Sequence, residues 1–372
     1  MTKQNFTELE GHNERIKVLL MGPQDAGKTA ILRQTIYGFG ADQLRNLQPT
    51  EFVDVHPDKR KSKYICQFYD FGGQERFFED YHQPENEKNI FSKVSIFVFV
   101  VDSDKEQLFA FARKEFWRAI TKLAKYSPNA FSVIFAHKQD LPEALPFEEV
   151  AELLLLPPPE ISSKKTDSDP SSFKKIEKIA KRTVCLGTSI EETQSREGES
   201  GNHWMKADEA FQETLQLYSK FIQKHSKTTR KPDTQKSSSD QLIRKILTNL
   251  NKEVGAPGSM LIDKSSGLPV ASTLEKDDIT QSMMGFIILN SSKVLKDLGE
   301  KVLNLVIIRG EEKNEMLVNI TEDHSLLIVL PIETEVQLGY AIDVINKTTN
   351  KIKEILQPSM TQLNASSQPS ST

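Results

Sequence analysis

In the first half of the chain, apolar positions fall in short runs separated by polar stretches. Ile16 with residues 18–21, then 64–69, 94–101, 131–135 and 184–186 are the runs. Runs of this length, bounded by turn residues and rich in β-branched and aromatic side chains, predict strands buried on both faces. Residues 51–55 predict a further strand, and 29–37 are compatible with a helix. Together these predict an α/β domain over 14–223, with a six-stranded, mostly parallel sheet and helices on both faces. Such sheets bind ligands at the carboxyl ends of their strands. Residues 1–13 are polar and predict a flexible extension, and the Pro/Ser-rich stretch 157–172 predicts a flexible insertion before the last strand.

The pattern changes after residue 223. Residues 224–239 lack large apolar side chains and predict a linker. Leu242, Ile243, Ile246, Leu247 and Leu250 then follow helical spacing. Residues 255–262 and 268–271 predict a hairpin turning at 263–267. A helix over 282–298 and strands over 303–308, 315–320 and 325–330 come next. A closing helix carries Leu338, Ile342, Ile345, Ile352 and Leu356 on one stripe. This order predicts an α+β domain with one five-stranded sheet over 240–357. The Ser/Gln/Pro-rich residues 358–372 predict a disordered tail.

The chemistry begins at Gly22-Pro23-Gln24-Asp25-Ala26-Gly27-Lys28-Thr29, followed by Ala30. Glycines at its ends let backbone N–H groups turn around a phosphate chain. Lys28 can reach the outer phosphates, and Thr29 can place its hydroxyl on Mg²⁺. A helix starting there adds its N-terminal dipole. A chance match in a turn would need neither the strand before nor the helix after. Asp70, at a strand end, can hold the metal through water. The Gly73 N–H can approach the terminal phosphate, and Gln74 can orient an attacking water. Thr50, in the polar loop after Pro49, can close on both metal and phosphate.

A second group suits a purine base. The strand ending at Phe135 leads to His137-Lys138-Gln139-Asp140. An Asp140 carboxylate accepts two hydrogen bonds from guanine that adenine does not offer. The Lys138 stem can lie across the base, and the backbone of Gly187-Thr188-Ser189-Ile190 can reach the guanine carbonyl. Each tripeptide alone is weak, since Lys-x-Asp is usually a solvated turn. Their joint order, each after an apolar strand, carries the signal.

Composition narrows the classes. The chain has 372 residues and a net charge of −4, which makes no electrostatic case for nucleic acid. Cys66 and Cys185 lie on predicted strands and read as buried thiols of a reducing compartment. No His/Cys spacing suggests zinc. The polar start predicts no secretory signal, and neither an N-myristoylation pattern nor a terminal Cys box is present. The expected location is cytoplasmic, with recruitment to a membrane surface only through partners.

The motifs Asp-Ala-Gly-Lys-Thr, Pro-Thr-x-Phe and Asp-x-Gly-Gly-Gln resemble the small GTPase superfamily, the Arf branch included. The opening His137, the stretch 78–91 and Gly-Thr-Ser-Ile resemble the Rag GTPases within it. That resemblance covers about residues 14–222. Pro23, Gln24 and Asp25 depart from many relatives, and Gln24 could crowd the γ-phosphate side and slow hydrolysis. The spacing of Gly255, Gly258, Asp263 and Gly267 before Leu-Pro-Val-Ala-Ser is similar to the roadblock/dynein-light-chain family. The Rag family carries such a domain at its C-terminus.

The resemblance implies a regulatory switch that binds GTP or GDP with Mg²⁺ and hydrolyses GTP slowly. Its catalytic residues would be Gln74, Lys28, Gly73 and Thr50, and its metal ligands Thr29, Thr50 and Asp70. It also implies a dimer through the roadblock-like domain, with another Rag-like chain or with itself, and GTPase-activating and exchange proteins as partners. A nucleotide-bound scaffold with little hydrolysis is the alternative. For the second domain alone, the alternative is a free-standing module binding a small ligand, but 240–356 offers no convergent polar or titratable cluster, and apolar faces without chemistry suit assembly better. A metabolic kinase explains neither Asp140 nor the lack of a second-substrate site.

Overall fold

The structure is a computed structural model. It describes residues 14–57, 64–159, 170–191, 204–226, 234–264, 269–274, 305–309, 313–321, 323–331 and 338–356. The chain divides into two compact units, Met1–His82 with Lys93–Ser219, and Gln83–Ser92 with Lys220–Thr372.

The first unit is built on strands β1 (Glu14–Met21), β2 (Val53–Pro57), β3 (Tyr64–Phe71), β4 (Val94–Asp102), β5 (Phe131–His137), β6 (Val184–Ser189) and β7 (Met205–Lys206). They lie in the order β2-β3-β1-β4-β5-β6-β7. Every neighbouring pair is parallel except β2 with β3. The sheet is mostly parallel as expected, but it has seven strands rather than six. The added strand, Met205–Lys206, is two residues long and too short to leave a periodic signal. β4 and β5 are buried almost throughout, the signature of a sheet covered on both faces.

Helices α1 (Lys28–Tyr37), α2 (Ala41–Leu44), α3 (Glu75–Tyr81), α5 (Phe109–Tyr126), α6 (Phe147–Leu155), α7 (Pro170–Lys181) and α8 (Ala207–Ser226) join the strands, while α4 (Pro84–Phe91) belongs to the second unit. α5 buries Ala112, Phe116, Ala119, Ile120 and Leu123, a three-and-four spacing that presents one face. Phe116 meets Phe99 of β4 with ring centroids 5.5 Å apart. On α8, Phe211 lies 5.0 Å from Phe68 of β3. Residues 170–172, expected in a flexible insertion, form the start of α7; 160–169 lie outside the described residues.

The second unit contains α9 (Thr234–Val254), β8 (Gly258–Asp263), β9 (Pro269–Ser272), β10 (Leu305–Arg309), β11 (Lys313–Asn319), β12 (His324–Pro331) and α10 (Leu338–Leu356). Its strands form an antiparallel sheet in the order β10-β11-β12-β8-β9. One face packs Leu261, Met316, Val318, Leu326 and Ile328 against Ile243, Leu247 and Leu250 of α9 and Val344, Ile345 and Ile352 of α10. Met260, Ile262, Leu317 and Leu327, on alternate positions, form a second buried cluster.

Two expected boundaries shift. α8 runs to Ser226 and α9 begins at Thr234, so both enter the expected linker 224–239; 227–233 lie outside the described residues. The hairpin starts at Gly258 rather than at 255. The end of α9 takes up the residues before it, with Ala256 N–H donating to Asn251 O at 2.9 Å. The expected extension 1–13, helix 282–298 and tail 358–372 lie outside the described residues.

Candidate functional site

The carboxyl ends of β1, β3, β5 and β6 open onto one cleft of about 390 Å³. The loop after β1 wraps its floor. Gly27 takes φ +91°, a left-handed conformation that starts α1 without a side-chain cap. Lys28 is buried, and its Nζ donates to Gly22 O and Pro23 O, both at 2.8 Å. Burial pulls its pKa down to about 8, opposed by the charges of Asp70 and Asp25. Gly73 approaches the same loop: a Cβ there would lie 2.5 Å from Gln24 N and from Lys28 Nζ.

Three oxygen-bearing side chains from three segments meet beside Lys28. Thr29 Oγ1 donates to Asp70 Oδ2 at 2.6 Å, Thr50 Oγ1 donates to the same oxygen at 3.1 Å, and the two hydroxyls are 2.9 Å apart. Asp70 is fully buried, and desolvation raises its pKa against the pull of Lys28 and the two hydroxyls. Its Oδ1 is buried with no hydrogen-bond partner among the described residues. Hard oxygen donors around a buried carboxylate with a spare lone-pair site fit Mg²⁺. Among the described residues no cluster of three His, Cys, Asp or Glu offers another metal site.

The opposite side of the cleft is built where β5 and β6 end. His137 is buried, its Nδ1 3.0 Å from Thr188 Oγ1. Burial first, then the Lys138 charge, lowers its pKa to about 3, so the ring is neutral. Lys138 takes φ +64° and its Nζ donates to Asp102 Oδ2 at 2.6 Å. Ser189 Oγ donates to Asp140 Oδ1 at 2.5 Å and accepts from Glu191 N–H at 3.0 Å. Gln34 of α1 ties in the last loop, donating to Ile190 O at 2.9 Å.

Of the residues expected to form the site, Gln24, Asp25, Gly27, Lys28, Thr29, Ala30, Thr50, Gly73, Gln74, His137, Lys138, Asp140 and Ile190 line the cleft. Gly22, Pro23, Ala26, Asp70, Thr188 and Ser189 are not in its wall. Asp70, Thr188 and Ser189 hold residues that are. The wall also contains Leu44, Arg45, Leu47, Gln48, Leu141 and Glu191, which sequence reasoning missed. Two leucines in an otherwise polar loop were the available signal. Asp102, the polar end of the apolar run 94–101, was the signal for the Lys138 anchor.

Residues 17–152 match the family described as the Gtr1/RagA G protein conserved region. The first unit is thus similar in sequence to the Rag-family small GTPases. The chain is 28% identical over 143 residues to GTP-binding protein GTR1 of Saccharomyces cerevisiae, covering 38% of this chain and 46% of that one. It is 28% identical over 180 residues to GTP-binding protein gtr1 of Schizosaccharomyces pombe, covering 47% and 51%. The chain thus spans about half the length of these curated relatives. The structure of the Arl6 BBS3 small GTPase from Trypanosoma brucei, with a bound nucleotide analogue, is 17% identical with a TM-score of 0.35, covering 55% of this chain and 98% of that one. Within the matched region, the residue before the Lys-x-Asp motif is a buried histidine packed on the loop after β1.

Proposed function

We propose that the protein is a guanine-nucleotide switch that binds Mg²⁺–GTP and hydrolyses it slowly to GDP and phosphate. The observation that supports this most is one cleft lined by Lys28, Thr29, Thr50, Gln74 and Asp140, with Asp70 bonded to both threonines behind its wall. Asp140, oriented by Ser189, would accept the two guanine donors, and Lys138 would lie along the base. Lys28 would move from the neutral loop carbonyls to anionic phosphate oxygens, a stronger charge-assisted pairing. Thr29, Thr50 and Asp70 would hold Mg²⁺, which when bound supplies positive charge to the phosphates. The Gly73 N–H would stabilise charge on the transferring phosphoryl group, and Gln74 would orient water in line with the leaving oxygen.

Among the described residues, no arginine in the cleft is set aside for the transition state. Arg45 reaches Asp42 at 3.4 Å and Glu191 at 3.9 Å, and Arg76 lies 4.7 Å over the Phe77 ring. An arginine from an activating protein raises turnover by roughly 10³ to 10⁵ in such enzymes, so turnover here would depend on one. Loss of the terminal phosphate would free the loops of Thr50 and Gln74, and exchange and activating proteins would read that difference. The second unit would serve as a roadblock-like dimerisation platform, pairing with another Rag-like chain or with a second copy. Among the described residues no helix is long and apolar enough to cross a membrane, so membrane recruitment would come through partners.

The test is a single-turnover assay on the purified chain loaded with Mg²⁺ and GTP, with bound nucleotide identified over time by chromatography. Conversion to GDP that Gln74→Leu abolishes supports the switch. GTP that stays intact for hours, even with candidate activators, supports the nucleotide-bound scaffold instead. A chain that takes up no guanine nucleotide overturns the reading.

A further inference from the structure

Two backbone carbonyls converge on one buried hydroxyl. Tyr81, the last residue of α3, has its Oη 2.6 Å from Phe52 O and 3.0 Å from Gly72 O. A phenol carries one proton, so the hydroxyl is shared between the two acceptors. The Gly72 N–H donates to Phe52 O at 2.7 Å and closes the triangle. Phe52 lies two residues after Thr50, and Gly72 lies one before Gly73 and two before Gln74.

The packing around this triangle is tight. Tyr81 is 0% exposed, and its ring centroid lies 5.2 Å from Phe52, 4.9 Å from Phe71 and 5.8 Å from Phe78. Phe52 takes φ +58°, a left-handed conformation that costs a bulky aromatic residue free energy. Such strain persists only where the surroundings over-determine it. Here they are the Tyr81 ring, its hydroxyl and the Gly72 amide. Burial, then the nearby Asp70 charge, raises the hydroxyl's pKa, so it stays a donor at every physiological pH.

Resting on the functional reading above, we propose that Tyr81 is a positioning residue. Its hydroxyl ties the loop carrying Thr50 to the segment carrying Gly73 and Gln74, so that both respond to the terminal phosphate as one. Thr50 is held by Thr29 and Asp70, whereas Gln74 stands at the start of α3 with no side-chain cap bond. The tie lets order gained at Thr50 set the position of Gln74.

The test uses the full chain with Tyr81→Phe, which keeps the ring and removes the hydroxyl, and Tyr81→Leu, which removes both. GDP affinity, single-turnover hydrolysis and amide hydrogen exchange of peptides 46–53 and 70–76 are measured with GDP and with a non-hydrolysable GTP analogue. Tyr81→Phe is expected to bind GDP within about twofold of the wild type and to hydrolyse GTP roughly three- to tenfold more slowly, the effect of one shared hydrogen bond. The analogue is expected still to protect 46–53 in that variant but no longer 70–76. Wild-type hydrolysis and joint protection in Tyr81→Phe, with loss of both in Tyr81→Leu, would show that the ring alone matters and overturn the tie. Loss of the wild-type melting transition in Tyr81→Phe also overturns it, since the hydroxyl would then serve the whole fold. A wild-type chain that takes up no guanine nucleotide sinks the functional reading by itself. The tie is then decided in the unliganded chain, where Tyr81→Phe must speed exchange of both peptides together; faster exchange in one peptide alone, or in neither, overturns it.

Discussion

The imidazole of His137 occupies the space that a side chain on Gly27 would need. A Cβ on Gly27 would lie 2.7 Å from His137 Nε2 and closer still to Cδ2. Gly27 is also held at φ +91°. Strand β5 therefore buttresses the loop after β1 through a ring packed on a bare backbone. Gly27→Ala must strain the backbone or displace the ring, and either moves the loop amides. Guanine-nucleotide affinity is expected to fall by roughly tenfold or more. Equilibrium titration with a fluorescent GDP checks this, and wild-type affinity would show that the contact is slack.

His137 also predicts an acid sensitivity. Its pKa is lowered from 6.5 to about 3 by burial. The unfolded chain takes up this proton first, so the stability contributed by the neutral ring is full above pH 6.5 and is lost as the pH falls toward 3. The slope is up to about 1.4 kcal/mol per pH unit within that window. His137→Asn removes the titrating group, and its stability should fall less steeply over the same range. Thermal melts at stepped pH measure the two slopes; equal slopes would mean the ring is protonated in the native state.

Asp70 sets stability against function. Its carboxylate is fully buried, with desolvation raising its pKa, yet it gathers both threonine hydroxyls. Asp70→Asn keeps the size of the side chain and removes the charge. Without metal, the melting temperature of the variant should equal or exceed that of the wild type, because an isolated buried charge is costly. The rise in melting temperature on adding Mg²⁺ with GDP should shrink strongly. An undiminished Mg²⁺ effect would place the metal elsewhere.

The end of α3 is clamped to α5 through charges. Arg118 bonds Glu79 at 2.7 Å and Glu115 at 3.0 Å, and His82 Nε2 lies 3.2 Å from the other Glu115 oxygen. Glu115 is 1% exposed, so Arg118→Ala leaves a buried carboxylate short of a charged donor. The expected cost is about 2 kcal/mol in chemical denaturation. Adding Glu115→Gln should recover part of it. A double variant no better than the single one would assign the loss to packing of the Arg118 stem.

How much of this could be read beforehand depended on whether the residues were neighbours in the chain. The run from Gly22 to Thr29 needs its glycines, lysine and hydroxyl at fixed spacing, because one turn of backbone must meet one phosphate chain. Asp70 through Gln74 and Lys138 through Asp140 were readable for the same reason. Arg45 and Glu191 pair from segments far apart, and Asp102 anchors a lysine 36 residues on. Tyr81 looked like one more aromatic in the stretch 78–91. The starts of α7 and α9 were missed because Pro, Ser, Thr, Gln and Lys fill their first turns, so no apolar stripe marks them.

The sequence by itself determined the strands and their order along the chain, the helix after the loop 22–29, two helices of the second unit and the candidate groups each loop carries, since these rest on local backbone preference and on adjacent side chains. Only the tertiary structure decided which loops share a wall, that Thr29 and Thr50 both donate to one oxygen of Asp70, and that burial lowers the pKa values of His137 and Lys28. Those properties depend on burial and on charges brought from elsewhere in the chain, and neither is set until the strands have taken their places in the sheet.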